Sequence, residues 1–290
     1  MMVMKTLISF FQVTVLSIIL VPLLVGCNRN PTLVEVGSVQ IGKKDVEMRR
    51  RAMSVFSPQL SQKIALEQLI RSYTLSELLK KKGVNNLDAS VEQEAKRFTE
   101  SGKSNPKIAQ VRKVFGSDEQ TFRKVFILPM LADRVAYMDG YLKDSEFHKT
   151  QKQKADDFLT EVQKNPKGFE ALAKKNGYVL KKGWLDSEKG LLWEPPREPA
   201  SSNLPGGTFI ADQWKRSVLN QLDPGKIAST FIEQGNAWVL LKKIGLSSSS
   251  KGSTEIAAVV VVREPFNVWI EKNRGLVPVT RISEQKLDSQ

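Results

Sequence analysis

Cysteine and histidine each occur once in this chain, as Cys27 and His148, and they bound the chemistry available to it. One cysteine excludes an internal disulfide framework and any multi-cysteine metal site. One histidine excludes any mechanism that needs two imidazoles. A Ser-His-Asp arrangement would have to recruit His148, and no nucleophile-elbow motif accompanies it. Neither a glycine-rich phosphate loop nor an H-E-x-x-H pair is present. Adjacent acids such as Asp156 and Asp157 fall in a helical stretch, where neighbouring positions point to different faces, and they read as solvated charge. No cofactor and no catalytic residue are expected.

Cys27 has its own context. Lys5 is the only charged residue before it, and Thr6–Val25 is almost wholly apolar. A basic start followed by an apolar run is an export signal. The run ends in Leu24-Val25-Gly26-Cys27, which matches the bacterial lipobox: a small residue before the cleavage point, then the cysteine that takes the lipid. Residues 1–27 are therefore expected to be a lipoprotein signal peptide, with Cys27 as the lipidation site. An uncleaved membrane anchor is the alternative, since roughly 20 apolar residues span a bilayer. Asn28 is not the aspartate that retains many lipoproteins at an inner membrane. The outer membrane is favoured if the cell has two; with one, the protein would face the extracellular side.

The chain of 290 residues is long enough for two domains, and 41% hydrophobic with 26% charged content is ordinary for a globular protein. Its formal charge of +13 comes from 44 Lys and Arg against 31 Asp and Glu. No basic run is interleaved with aromatics, so no nucleic-acid partner is expected. Most of the charge reads as a solvated lysine-rich surface, to which attraction by anionic lipid or envelope polymer could add.

Residues 28–145 read as a helical module. Leu33–Val36 and Val39–Ile41 flank Gly37-Ser38 as a small hairpin. A charged helix follows over 44–56. Leu66, Leu69, Ile70, Tyr73, Leu75, Leu78 and Leu79 recur at helical steps, with Gly83 placed as the residue after the C-cap. A further helix is expected from Asp88 or Ser90 to Thr99, then a loop over 101–106. Ser117 and Gln120 suggest a capping box for another helix, kinked by Pro129 and running to Phe147.

Residues 146–246 read as a smaller α/β domain. Helices over 152–163 and 169–173 end at Asn165-Pro166 and Asn176-Gly177, and Gly183-Trp184-Leu185 lies on a strand. Prolines and glycines fill 191–207. An apolar helix end at Val218, Leu219 and Leu222 is followed by a Pro224-Gly225 turn, a short strand through Ile227 and Phe231, and a turn at 233–236. The domain's last strand is then Ala237–Ile244. Residues 247–290 hold a serine-rich linker, a buried strand over Ile256–Val262, a short helix over 266–272 and a strand over 277–282.

The string V-x-V-G-S-V-Q-I-G-K-K-D-V from Val34, with A-L-E-Q-L-I and L-L-K-K-K-G-V, is similar to the N-terminal module of SurA and PrsA type extracytoplasmic chaperones. F-x-x-L-A from Phe169, Gly183-Trp184-Leu185, and L-x-P-G-x-I followed by G-x-x-W-V-L-L-K resemble a parvulin-type prolyl isomerase domain. The resemblance implies an α+β fold, a helical module that cradles unfolded clients, and an isomerase-like domain inserted before a C-terminal segment that returns to the N-terminal module. It also implies two active-site histidines, one of them near Ala237 or Trp238. Neither is histidine. His148 is expected to be an exposed helical residue, and the domain to be inactive.

The expected function is that of an envelope-anchored chaperone that binds unfolded or partly folded exported polypeptides. A residual prolyl isomerase and a structural scaffold are the alternatives. The strands at 256–262 and 277–282 have no partner in this scheme except the N-terminal hairpin, so both are expected to return to it.

Overall fold

In the computed structural model the residues described are 30–186, 190–193, 212–246 and 253–282. The apolar N-terminal stretch with Cys27, the proline-rich stretch from residue 194 and the polar tail lie outside them, as does most of the serine-rich linker. The fold mixes helices and strands, and the described residues fall in two compact units: those up to 134 with those from 274 on, and those from 135 to 273. No helix among the described residues is long and apolar enough to cross a membrane.

The first unit opens with β1 (Thr32–Val36) and β2 (Val39–Gly42), an antiparallel hairpin turned at Gly37. Gly37 has φ +56°, a conformation that favours glycine. Helix α1 (Lys43–Ser54) follows at once, its start held by Asp45, whose carboxylate accepts the Gly42 N–H at 2.9 Å. Helix α2 (Gln62–Lys81) carries the leucine stripe, and Leu66, Leu69, Leu75, Leu78 and Leu79 are all buried. It ends as expected, with Gly83 at φ +75° and the Val84 N–H donating back to Leu79.

Helix α3 (Leu87–Ser101) starts before the expected Asp88 or Ser90, with Asn86 as its N-cap. A helix absent from the sequence reading follows, α4 (Pro106–Phe115). Its signal is Asn105-Pro106: Asn105 Oδ1 accepts the Lys107 and Ile108 N–H groups, and proline suits the first helical turn. The next start is capped by Asp118, not Ser117, through the Thr121 N–H. That helix is α5 (Glu119–Phe122), which passes through a π-helical turn, Arg123–Ile127, into α6 (Leu128–Val135). Phe98, Phe115, Phe122 and Phe126 pack ring on ring at the centre, with centroids 5.1–6.2 Å apart.

The second unit begins with another π-helical turn, Ala136–Tyr141. The expected continuous helix to Phe147 is therefore broken: Phe147 belongs to the next helix, α7 (Ser145–Lys164), capped by Asp144. Helix α8 (Phe169–Lys175), β3 (Val179–Asp186) and β4 (Gly190–Trp193) follow. After the undescribed stretch come α9 (Asp212–Asn220), β5 (Ile232–Gln234), β6 (Ala237–Leu246), β7 (Thr254–Val262) and α10 (Phe266–Asn273). The expected strand through Ile227 and Phe231 is reduced to one bridge between Ile227 and Lys242.

The sheet order is β4-β3-β7-β6-β5, antiparallel at every pairing. This corrects the expectation for 256–262: the run does not return to the N-terminal hairpin but forms the middle of this sheet. Lys182, Ala257 and Lys242 share a register row. Lys182 pairs with Glu170 of α8, and Lys242 donates to Pro166, so α7 and α8 cover that face. Lys215 of α9 lies over Trp193, which points to the opposite face. With both faces covered, residues 256–261 are all buried, which is why the run is continuously apolar and not alternating. The compact unit accordingly extends to Asn273, beyond the boundary expected at residue 246.

The chain then re-enters the first unit. β8 (Val279–Arg281) pairs antiparallel with β1, completing the order β2-β1-β8. Of the two strands expected to return, only this one does.

Candidate functional site

Two places in the second unit gather side chains of functional interest, and the first surrounds His148. It sits in the first turn of α7, as a helical residue, but it is 3% exposed and not on the surface as expected. Its Nε2 lies 2.9 Å from the Tyr141 carbonyl. A carbonyl only accepts, so the neutral ring carries its proton on Nε2. Nδ1 has no hydrogen-bond partner among the described residues. Burial pushes the imidazole below its ordinary pKa, against the opposing effects of the Tyr141 hydrogen bond, Asp144 and Glu264; Arg263 pushes it the same way as burial.

Aromatic rings close the space around it. Tyr141 and Phe147 stand edge-on at 4.8 and 5.0 Å, and Trp238 at 6.1 Å. Trp238 is one of the two positions, with Ala237, near which a second histidine was expected; both are buried. Arg263 lies over its ring at 4.5 Å, donating to the Leu142 carbonyl at 2.8 Å and to Glu233 at 3.1 Å. The Tyr141 hydroxyl donates to the Glu264 carbonyl at 2.5 Å, and burial pushes its pKa up to about 12. Trp269 donates to Asp144 at 2.9 Å. No nucleophile is hydrogen-bonded to the histidine among the described residues. This packing joins the start of α7 to β6 and to the residues after β7.

The second place is an open groove of about 650 Å³ between α7, the start of β3 and the end of β7. Its floor is apolar, with Phe158, Tyr178 and Val261; Phe158 and Tyr178 meet edge to face at 5.2 Å. Its rim carries Lys154 and Lys175 against Asp157 and Glu161, two charges of each sign. The groove exists because Gly177, at φ +69°, turns the chain out of α8. The Tyr178 N–H then donates to Ala173 rather than to a strand. Sequence reasoning located the Asn176-Gly177 helix end but not the opening it leaves.

Cys27 lies outside the described residues. Among the described residues no cluster of histidine, cysteine or acidic side chains is arranged to hold a metal ion. No family model matches the chain, and no curated protein matches it.

Proposed function

We propose that this chain is an envelope-anchored lipoprotein of the SurA/PrsA type that binds unfolded or partly folded exported polypeptides and delays their aggregation. The observation that carries the reading is the groove beside α7: open, apolar in its floor, charge-balanced at its rim, and large enough for several residues of extended chain. Such a site holds segments weakly and reversibly, and it needs no covalent step. The pairing of β8 with β1 supports the same reading, because the resemblance implies a C-terminal segment that returns to the N-terminal module. The parvulin-like segments Gly183-Trp184-Leu185 and Gly235–Trp238 fall on β3 and on the β5–β6 turn. Prolyl isomerase activity is disfavoured, since neither Ala237 nor Trp238, near which the second histidine is expected, is histidine, and Trp238 packs on His148.

The test is light scattering of an aggregating unfolded protein in the presence of the mature chain. Suppression that rises with concentration is expected, with no acceleration of X-Pro exchange beyond its spontaneous course of tens to hundreds of seconds. Absence of suppression would overturn the chaperone reading. For the anchor, Cys27→Ser is expected to abolish labelling by a fatty-acid analogue and to move the protein out of the membrane fraction. Unchanged labelling would remove the lipid from the account.

A further inference from the structure

The groove contains an unfinished strand edge. β3 begins at Val179, opposite Val260, whereas β7 stays paired with β6 as far as Val262 opposite Ala237. Among the described residues nothing continues the line of β3 past Val179, because the chain before it has turned into α8. In an antiparallel ladder, successive residues point their N–H and C=O groups to opposite neighbours. The Arg263 N–H donates to the Asn236 carbonyl at 2.7 Å, which assigns Arg263 and Val261 to the β6 side. Val262 therefore directs its backbone donor and acceptor toward the line of β3, into the groove. Val262 and Val179 are 39% and 38% exposed, where their neighbours Val260 and Val261 are buried.

We infer that this groove takes an extended, apolar and uncharged stretch of an unfolded polypeptide, which adds as a short strand opposite Val262 and continues the line of β3. The inference rests on the polypeptide-binding reading above and assigns it a place and a mode. Backbone pairing supplies attachment without sequence preference, as strand addition does generally. Alternating side chains of the added strand meet Phe158 and Tyr178 on the α7 side, and Val179 and Val262 on the other. The balanced rim gives a segment of strong net charge no advantage.

The probe is a short, end-capped, fluorescein-labelled peptide of alternating valine and serine, with two twins, one N-methylated at the valines and one at the serines. Binding to the full mature chain is read by fluorescence anisotropy. The parent peptide is expected to bind, and at least one twin to bind about tenfold more weakly, because each methyl set removes the donors of one edge. Val262→Lys and Val179→Lys are expected to weaken the parent as well, with tryptophan fluorescence reporting whether the variants remain folded. Should either variant unfold, the twins decide the matter on the unaltered protein. Equal binding of parent and both twins would overturn strand addition. Failure of the parent to bind, while the chain still suppresses aggregation, would overturn the groove assignment and leave the chaperone reading standing. Failure of both would overturn the two together.

Discussion

Each unit contains a π-helical turn, and each has a buried side chain from elsewhere in that unit placed on the carbonyls near it, but the two caps differ in chemistry. In the first unit the turn is Arg123–Ile127 and the cap is Arg49, 4% exposed. Its Nη1 donates to the Val125 and Phe126 carbonyls at 3.4 and 3.3 Å, and its Nε to Gln68 at 3.0 Å. Pro129 explains part of the need. It has no N–H for the Val125 carbonyl four residues before it, and the arginine supplies the donor. In the second unit the turn is Ala136–Tyr141, and His148 and Arg263 donate to the Tyr141 and Leu142 carbonyls. Burial lowers the Arg49 pKa only to about 10, so it remains a cation near neutrality, whereas His148 is held neutral. The first unit is capped by a permanent charge alone; the second adds to its arginine an imidazole that is neutral and has a spare nitrogen.

The largest effect should come from breaking the first cap. Arg49→Met keeps volume but leaves the Val125 carbonyl without its donor, and a loss of about 3 kcal/mol is expected. All five tryptophans lie between residues 184 and 269, within the second unit. Urea unfolding followed by circular dichroism should therefore show an early loss of helix while the tryptophan transition stays in place. A tryptophan transition that moves equally would show that the two units unfold as one, and the comparison between them would fail.

A smaller loss should follow removal of the last strand. Ending the chain at Pro278 deletes β8, with its backbone bonds to β1 and the half-buried Val279. At about 1 kcal/mol for each backbone bond plus part of a valine's burial, the first unit should lose about 2–3 kcal/mol. The same midpoint in helical signal with and without β8 would show that the strand contributes nothing to the module. A chain ending after β6 would not isolate this effect, because it also removes β7, the central strand of the second unit.

Much of this architecture was legible in local patterns, and the failures have common causes. The leucine stripe of α2 and the glycines at 37, 83, 177, 225 and 235 report short-range geometry, and all five adopt positive φ. The helix at 106–115 was equally legible, since Asn105-Pro106 is a start signal that the composition of the surrounding loop obscured. β7 was recognisable as a strand but not as a member of the larger sheet, because a continuous apolar run states that both faces are buried and not what buries them. The π-helical turns leave no periodic trace, as one extra residue per turn is invisible in a short helix. The burial of His148 was hidden for a similar reason: it stands in a charged helical stretch, and the rings that make that turn an inner face, Tyr141 and Trp238, come from other elements. The groove, too, is a property of where two strands stop relative to each other.

The smallest effect concerns the second cap and depends on pH. Folded His148 resists protonation relative to the ordinary imidazole value of 6.5, chiefly because it is buried, with Arg263 acting in the same direction and Asp144 and Glu264 against it. In the unfolded chain it takes up a proton near that value. Below it, the unfolded state binds more protons than the folded one, so stability is fully present above about pH 6.5 and declines as the pH falls. A single group contributes at most about 1.4 kcal/mol per pH unit. Urea midpoints followed by tryptophan fluorescence should therefore fall between pH 7 and pH 5.5 in the unaltered protein. The fall should be smaller in His148→Phe, even though that variant starts lower through loss of the bond to Tyr141. Because the chain has one histidine, its ring-proton NMR signals need no assignment and report the titration directly. An imidazole that titrates at or above 6.5 in the folded protein, or a pH slope unchanged by His148→Phe, would remove the distinction between a neutral cap and a charged one.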